Sequence, residues 1–339
     1  MPIVFLLVTT IILLITPIPA LNEEDRLAEY NKRGYTFPPK EYKPNTPGWK
    51  ALMERRMKQI SNTIQDKTQK YNAWMVTMGS SVVTQNFTKY GWGLARAPDD
   101  IIQELRDNLY NNMPFARNEH QVEVLDTSPQ SKFIDQFELN DKIAKKLLKM
   151  HEEWSGVELV PSIAYGLRLY QNNSALLMHT DKSSSHVISC ILHVDHSPDS
   201  KPWPILIEDY SGTTNEVYLE SGDMLFYESS KCLHGRTTTF HGSWYTSIFV
   251  HYRPKYDWDM NKPKREIHYA VPPNWQNNDR YMVEEGENLD DLVVIGTGFK
   301  EPSCEGNWCA LKHSRKWYGP AKAGIVIDPD YVDENDKEL

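Results

Sequence analysis

The chain has 339 residues, 40 % of them hydrophobic and 24 % charged, enough to bury a sizeable core and unlike a disordered tail or a collagen-type repeat. Its 46 acidic residues against 37 basic ones leave a net charge of -9, which argues against a general grip on nucleic acid, whose phosphates call for a basic surface. Four cysteines are too few to build a disulfide scaffold at this length, so apolar burial must carry most of the stability.

Residues 1–20 hold an apolar run from Ile3 to Thr16 followed by Pro17-Ile18-Pro19-Ala20, the pattern of a cleaved signal peptide. The run is shorter than the roughly 20 residues that span a bilayer, with an uncleaved anchor as the alternative, and no later segment is apolar enough to cross one. Asn86-Phe87-Thr88 and Asn172-Asn173-Ser174 are N-glycosylation acceptor patterns that agree with this. In an oxidising compartment Cys304 and Cys309 are close enough to close a small loop, while Cys190 and Cys232 are read either as a bridge or as buried thiols. Asp336-Lys337-Glu338-Leu339 resembles a degenerate tetrapeptide for retention in the endoplasmic reticulum; an ordinary acidic tail is the alternative. The expected location is the secretory pathway, either its lumen or outside the cell.

Beyond a Pro-rich linker over residues 35–47, Trp49, Leu52, Met53, Met57, Ile60 and Ile64 recur at the spacing of an amphipathic helix. A second helix is expected from Pro98, with Asp99 and Asp100 in its first turn and Ile101, Ile102, Leu105 and Leu109 as its apolar side. A third covers Asp141 to Lys149 or beyond. From Val157 the period shortens, and strands are expected at 162–171, 186–194, 204–208, 216–219, 223–227 and 243–252. Short strands separated by turns such as Ser221-Gly222-Asp223 point to a sandwich or barrel. The organisation read from this is a helical region over 21–156, a β core over 157–254 and a C-terminal extension over 255–339.

Three His-x-Asp/Glu triplets occur: His151-Glu152-Glu153, His179-Thr180-Asp181 and His193-Val194-Asp195. One or two are expected by chance, roughly, in a chain of this composition, so context must separate them. His151 sits near the end of a charged helix, where a solvated imidazole is the expectation, and His193 ends an apolar run as a strand-end or core residue. His179 and Asp181 follow a strand and an Asn-rich turn, where positions two apart face one side. His234 lies 55 positions later, after the apolar run Met224-Leu225-Phe226-Tyr227. Two imidazoles and one carboxylate leave three positions open on a metal, which suits non-haem Fe(II) and O₂ chemistry; Zn(II), with four tetrahedral ligands, is the rival.

The stretch from Tyr170 to Tyr252 resembles the core of the 2-oxoglutarate- and Fe(II)-dependent dioxygenases, in the branch near prolyl 4-hydroxylases. Tyr170 stands nine residues before His179, Gly222-Asp223 opens the strand leading to His234, and Gly242 lies eight residues beyond it. The resemblance implies a mainly β fold with some α, a double-stranded β-helix (jelly-roll) core buttressed by N-terminal helices. It implies Fe(II) held by His179, Asp181 and His234, with 2-oxoglutarate, O₂ and, as a candidate reductant, ascorbate. The implied reaction hydroxylates a C–H bond while 2-oxoglutarate is converted to succinate and CO₂, with no catalytic side chain beyond the metal ligands.

The chain departs from the branch at one position. A Lys ten residues after the distal His binds the far carboxylate of 2-oxoglutarate in that branch, and here Trp244 stands there. A buried dicarboxylate needs a cation. Arg236 is the first choice, since a guanidinium grips a carboxylate through paired donors. Arg168, sharing the strand face of Tyr170, is the second, and Thr246, on the face of Trp244, could add a hydroxyl. The expected substrate is a prolyl or related residue of a secretory peptide, with small molecules open. A non-catalytic secreted β-sandwich that binds glycan or peptide is the competing reading, and a zinc hydrolase built on the same triad is a third.

Overall fold

This computed structural model of the protein describes residues 44–66, 85–120, 130–182, 184–256 and 315–331, with residues 28, 70, 73, 74 and 125 between them. The signal-peptide segment, Cys304, Cys309 and the C-terminal tetrapeptide lie outside the described residues. Among the described residues no helix is long and apolar enough to cross a membrane.

Among the described residues, three helices of three turns or more precede or flank the sheets. Helix α1 (Pro47–Thr63) starts where Thr46 accepts a hydrogen bond from the Trp49 amide, with Pro47 in the first turn. Strand β1 (Trp92–Arg96) leads to helix α2 (Asp99–Asn112), whose Asp99 and Asp100 complement the positive end of the helix dipole. Short strands β2 (Arg117–Asn118) and β3 (Lys132–Phe133) follow. Helix α3 (Phe137–Ser155) runs further than its apolar core suggests, and ends where Gly156 adopts a left-handed conformation, φ 73°.

The strands from β4 onward alternate between two sheets. They are β4 (Leu159–Gln171), β5 (Leu176–His179), β6 (Ile188–His196), β7 (Ile205–Glu208), β8 (Thr214–Tyr218), β9 (Asp223–Tyr227), β10 (His234–Arg236) and β11 (Trp244–Pro254), and the late strand β12 (Arg315–Tyr318) pairs parallel to β8. The large sheet has the order β1-β9-β6-β11-β4-β3-β2 and the small one β12-β8-β7-β10-β5. Successive strands β4, β5 and β6 lie in the large, small and large sheet, β7 and β8 in the small, and β9, β10 and β11 in the large, small and large. That winding is a double-stranded β-helix, as the sequence led one to expect.

Alternation along β11 sorts the core into two layers. Trp244, Ile248, Val250 and Tyr252 join Leu105, Leu109, Ile143 and Leu147 of α2 and α3 in one cluster on the outer face of the large sheet. Tyr245 and Phe249 point inward, where Tyr245 packs with Tyr170, Trp203 and Phe240 between the sheets. Helices α2 and α3 therefore buttress the large sheet. Helix α1 instead meets β7 and the turn after it: Trp49 packs edge-on to Tyr210, Thr46 donates to the Tyr210 carbonyl, and Arg56 pairs with Glu208.

His151 corrects the expectation of a solvated ring. It is fully buried, donates from Nδ1 to the Leu147 carbonyl, and packs 4.5 Å from Phe226 and 4.4 Å from Tyr252. The charged residues of α3 face outward, and residue 151 falls on the opposite, sheet-facing side with Ile143, Ala144 and Leu147. Burial pushes its pKa down from 6.5 to about 4. The folded state thus disfavours the proton, so stability is lost as pH falls from about 6.5 toward 4 and levels below it. About 3 kcal/mol is at stake at ~1.4 kcal/mol per pKa unit. His151→Phe should flatten that part of a plot of urea-unfolding free energy against pH; an unchanged slope would mean that the ring is protonated in the fold.

His193, by contrast, is the core residue expected: buried in β6, donating to the Thr246 carbonyl and stacked 4.0 Å from Tyr245. Cys190 and Cys232 are both buried free thiols, not a bridge.

Candidate metal centre

β5 and β10 are antiparallel neighbours, and their register places His179 directly opposite His234. Residues 55 apart in sequence thereby bring their ring centroids to 4.3 Å. Asp181 follows two residues past His179, where its backbone amide donates to the Ser229 carbonyl and fixes the chain as it leaves the strand. All three side chains are buried or nearly so, and one ligand atom from each lies within 4.8 Å of the others. Among the described residues no other group of His, Cys, Asp or Glu is gathered this tightly.

The two rings are held the same way. Nδ1 of His179 donates to the Leu177 carbonyl at 2.7 Å, and Nδ1 of His234 donates to the Cys232 carbonyl at 2.9 Å. Both Nε2 atoms are thereby left with lone pairs, and they face Asp181 Oδ1 at 3.5 and 3.8 Å. Ligand atoms about 2.1 Å from a shared ion stand roughly 3 to 3.5 Å apart, so each imidazole–carboxylate separation needs to close by only a few tenths of an ångström. The residues fit a divalent ion with two imidazoles and a carboxylate on one face. Burial lowers the His234 pKa to about 4. Burial alone would raise that of Asp181, but the imidazoles of His234 and His179 outweigh it and hold the carboxyl well below its usual range. A neutral ring beside a carboxylate anion is the ligand form that metal binding requires.

The triad forms one side of a cavity of about 310 Å³ whose other walls include Tyr165, Arg168, Leu176, Phe249, His186 and His251. Tyr227 stands on the same wall, its ring edge-on to His234 at 4.6 Å. His251 also approaches the triad, with Nδ1 3.9 Å from Asp181 Oδ2 and a 2.7 Å hydrogen bond to Ser189 Oγ. His186 packs against it at 3.9 Å. Burial lowers the pKa of both rings. Neither was foreseen from the sequence, although the inward alternation Tyr245, Ser247, Phe249, His251 reaches His251.

No protein-family model and no curated protein matches the chain. Its structure resembles solved 2-oxoglutarate- and Fe(II)-dependent oxygenases. One is a Pseudomonas putida prolyl-4-hydroxylase, 15 % identical over 49 % of this chain and 94 % of that one, TM-score 0.38. Another is HygX from Streptomyces hygroscopicus with nickel, 2-oxoglutarate and hygromycin B bound, 12 % identical over 50 % and 86 %, TM-score 0.37. A third is a Trichoplax adhaerens prolyl hydroxylase in complex with a hypoxia inducible factor peptide fragment, 9 % identical over 55 % and 91 %, TM-score 0.40.

The residues expected to contact cosubstrate divide. Tyr170 is buried and points between the sheets, its ring 5.0 Å from Trp203. Arg168 lines the cavity, but its guanidinium is already paired with Glu119 through Nε to Oε2 and Nη2 to Oε1, both at 2.8 Å. Thr246 is a correction. It does share the face of Trp244, yet that face is the outer one, where Trp244 meets Tyr110 of α2 at 6.4 Å, so neither side chain belongs to the cavity. Arg236 is 3 % exposed and lies deeper between the sheets, its guanidinium over the rings of Trp203 at 4.4 Å and Tyr245 at 4.7 Å.

Proposed function

We propose that this chain is an Fe(II)- and 2-oxoglutarate-dependent dioxygenase that hydroxylates a C–H bond, in a prolyl or related residue of a peptide within the secretory pathway. The observation that carries the reading is the convergence of two imidazole Nε2 lone pairs and the Asp181 carboxylate on one cavity inside a double-stranded β-helix. Fe(II) and 2-oxoglutarate, when bound with O₂, supply the oxidising power for insertion of one oxygen atom, with succinate and CO₂ as co-products.

The chain's own residues supply placement. The Leu177 and Cys232 carbonyls orient the two rings, and the Ser229 carbonyl anchors Asp181. Leu176, Ile191 and Phe249 line the cavity with apolar surface that keeps water from the reacting centre. The peptide assignment is supported by the branch that Tyr170, Gly222-Asp223 and Gly242 resemble. The secretory assignment is supported by the apolar run at 3–16 and by the exposure of Asn86 and Asn172.

Anaerobic addition of Fe(II) and 2-oxoglutarate to the purified protein should produce a visible metal-to-ligand charge-transfer band. Admission of O₂ with proline-containing peptides should then give a mass gain of one oxygen and an equivalent of succinate. Hydrolytic activity that needs neither O₂ nor 2-oxoglutarate would replace this reading with a zinc enzyme. Expression of the full chain in a eukaryotic host should yield a product whose mass drops on glycosidase treatment, and drops less for Asn86→Gln; insensitivity to the glycosidase would remove the secretory assignment.

A further inference from the structure

The connection between β9 and β10, residues 228–233, is mostly polar, yet every one of its side chains is buried. Connections ordinarily run over the surface, where water satisfies their backbone. This one is satisfied from within, and two of its carbonyls serve the metal centre. Ser229 accepts from the Asp181 amide at 2.8 Å, and Cys232 accepts from Nδ1 of His234 at 2.9 Å. Glu228 in turn organises the connection. Its carbonyl accepts from the amides of Lys231 and Cys232, at 2.8 and 2.9 Å, and its amide donates to the Gly91 carbonyl at 2.8 Å. Its carboxylate reaches out of the turn to distant chain. Oε1 accepts from the amide and the hydroxyl of Thr88, at 2.8 and 2.9 Å. Oε2 accepts from the Phe87 amide at 3.1 Å and from the Tyr210 hydroxyl at 2.5 Å.

We infer that Glu228 is a positioning residue for the metal centre: its buried carboxylate ties the turn that holds Asp181 and His234 to the 87–88 segment and to Tyr210. This rests on the function proposed above and adds the group that keeps two of its ligands in place. Ligand atoms must sit about 2.1 Å from their ion, and a functional site tolerates displacements of roughly 0.5 Å. Without the carboxylate, two amides and two hydroxyls lose a buried acceptor, and the turn loses its ties to residues 87, 88 and 210. The ladder of β9 with β1 and β6 remains, so the expected change is a displacement of the turn, not loss of the sheet. Thr88 gives a second route to the same bond. It is the third residue of the acceptor pattern Asn86-Phe87-Thr88, and in the fold its hydroxyl donates to Glu228 and accepts from the Gly91 amide at 2.9 Å. Thr88→Val removes the pattern together with the bond to Glu228, whereas Asn86→Gln removes the pattern alone.

The test titrates Fe(II) and Co(II) into metal-free protein without O₂. Affinity is read by competition with a chromophoric chelator, and ligand geometry by the visible d–d bands of bound Co(II). Glu228→Ala should bind both ions about 10- to 100-fold more weakly, the effect of removing a group that orients ligands, and its Co(II) bands should shift. Glu228→Gln keeps an acceptor oxygen for Thr88 and should recover most of the affinity. Thr88→Val should weaken binding in the same sense, while Asn86→Gln binds as the natural protein does. Leu147→Ala, which opens a cavity in the cluster beneath α3, lowers stability without touching the turn, and should keep natural affinity and natural bands. Natural affinity and bands in Glu228→Ala, or an equal weakening in Leu147→Ala, would overturn the inference and leave the metal site standing. So would an Asn86→Gln as weak as Thr88→Val. Should Glu228→Ala not fold, Thr88→Val decides, and natural binding in it overturns the inference. Binding of neither ion by the natural protein would remove the iron reading itself.

Discussion

Asp181→Ala should abolish both Fe(II) binding and 2-oxoglutarate turnover while leaving the fold intact. Asp181 is the one anionic member of the triad, and without it a divalent ion would meet two neutral imidazoles in a largely apolar cavity. Removing a group that merely orients a ligand costs 10–100-fold in metal affinity, roughly; removing the charged ligand itself should cost more. The local chain path depends on the backbone of Asp181, whose amide donates to Ser229, and on the β5–β10 ladder, and an alanine keeps both. The contrast to look for is therefore thermal. Fe(II) should raise the unfolding temperature of the natural protein by mass action and leave that of the variant unchanged, with the two metal-free proteins unfolding within a few degrees of each other. Succinate formation at the natural rate in Asp181→Ala would place the metal elsewhere.

Strands β4, β6, β9 and β11 of the large sheet and the metal triad were legible in the sequence for different reasons, whereas β1, β2 and β3 of that sheet were not. Strands β6, β9 and β11 are continuous runs of β-branched, aromatic and apolar residues because both of their faces are covered, one by α2 and α3 and the other by the barrel interior. The triplet His179-Thr180-Asp181 could be separated from its two rivals only by position relative to strands. The strands that present the imidazoles were missed: β5 is the four residues Leu176–His179 and β10 the three residues His234–Arg236 with a glycine at its centre. Both lie inside the small sheet, where pairing with neighbours rather than propensity makes them strands. The position of Thr246 was misjudged because a spacing from His234 says nothing about which way β11 faces, and that is set by the packing of Trp244 against Tyr110. His151 was misjudged because charges on one side of α3 hide how fully its other side is buried. Glu119 carried no signal at all; its partner is 49 residues away, and only the pairing of β2 and β3 with β4 brings them together.

That pair gives the largest stability effect expected outside the core. Arg168 and Glu119 side chains are 9 % and 2 % exposed, and the Tyr165 hydroxyl also donates to the Glu119 carboxylate. Burial by itself would weaken the charge of the guanidinium, yet the neighbouring Tyr170 and Glu119 more than offset it and hold the proton more firmly than usual. Burial and the same carboxylate push the Tyr165 phenol up to about 12. Glu119→Ala strands a buried cation and should cost about 3 to 5 kcal/mol, read from urea unfolding. Glu119→Ala combined with Arg168→Met removes both charges and should recover most of that loss, since an ion pair out of water contributes little beyond what apolar packing would. A single-variant loss under about 1 kcal/mol would make this an ordinary surface pair. The same cycle bears on cosubstrate. While Glu119 holds Arg168 against the wall, the guanidinium is neutralised. In Glu119→Ala that cation borders the cavity without a carboxylate partner, so added 2-oxoglutarate should stabilise that variant by more than it stabilises the natural protein.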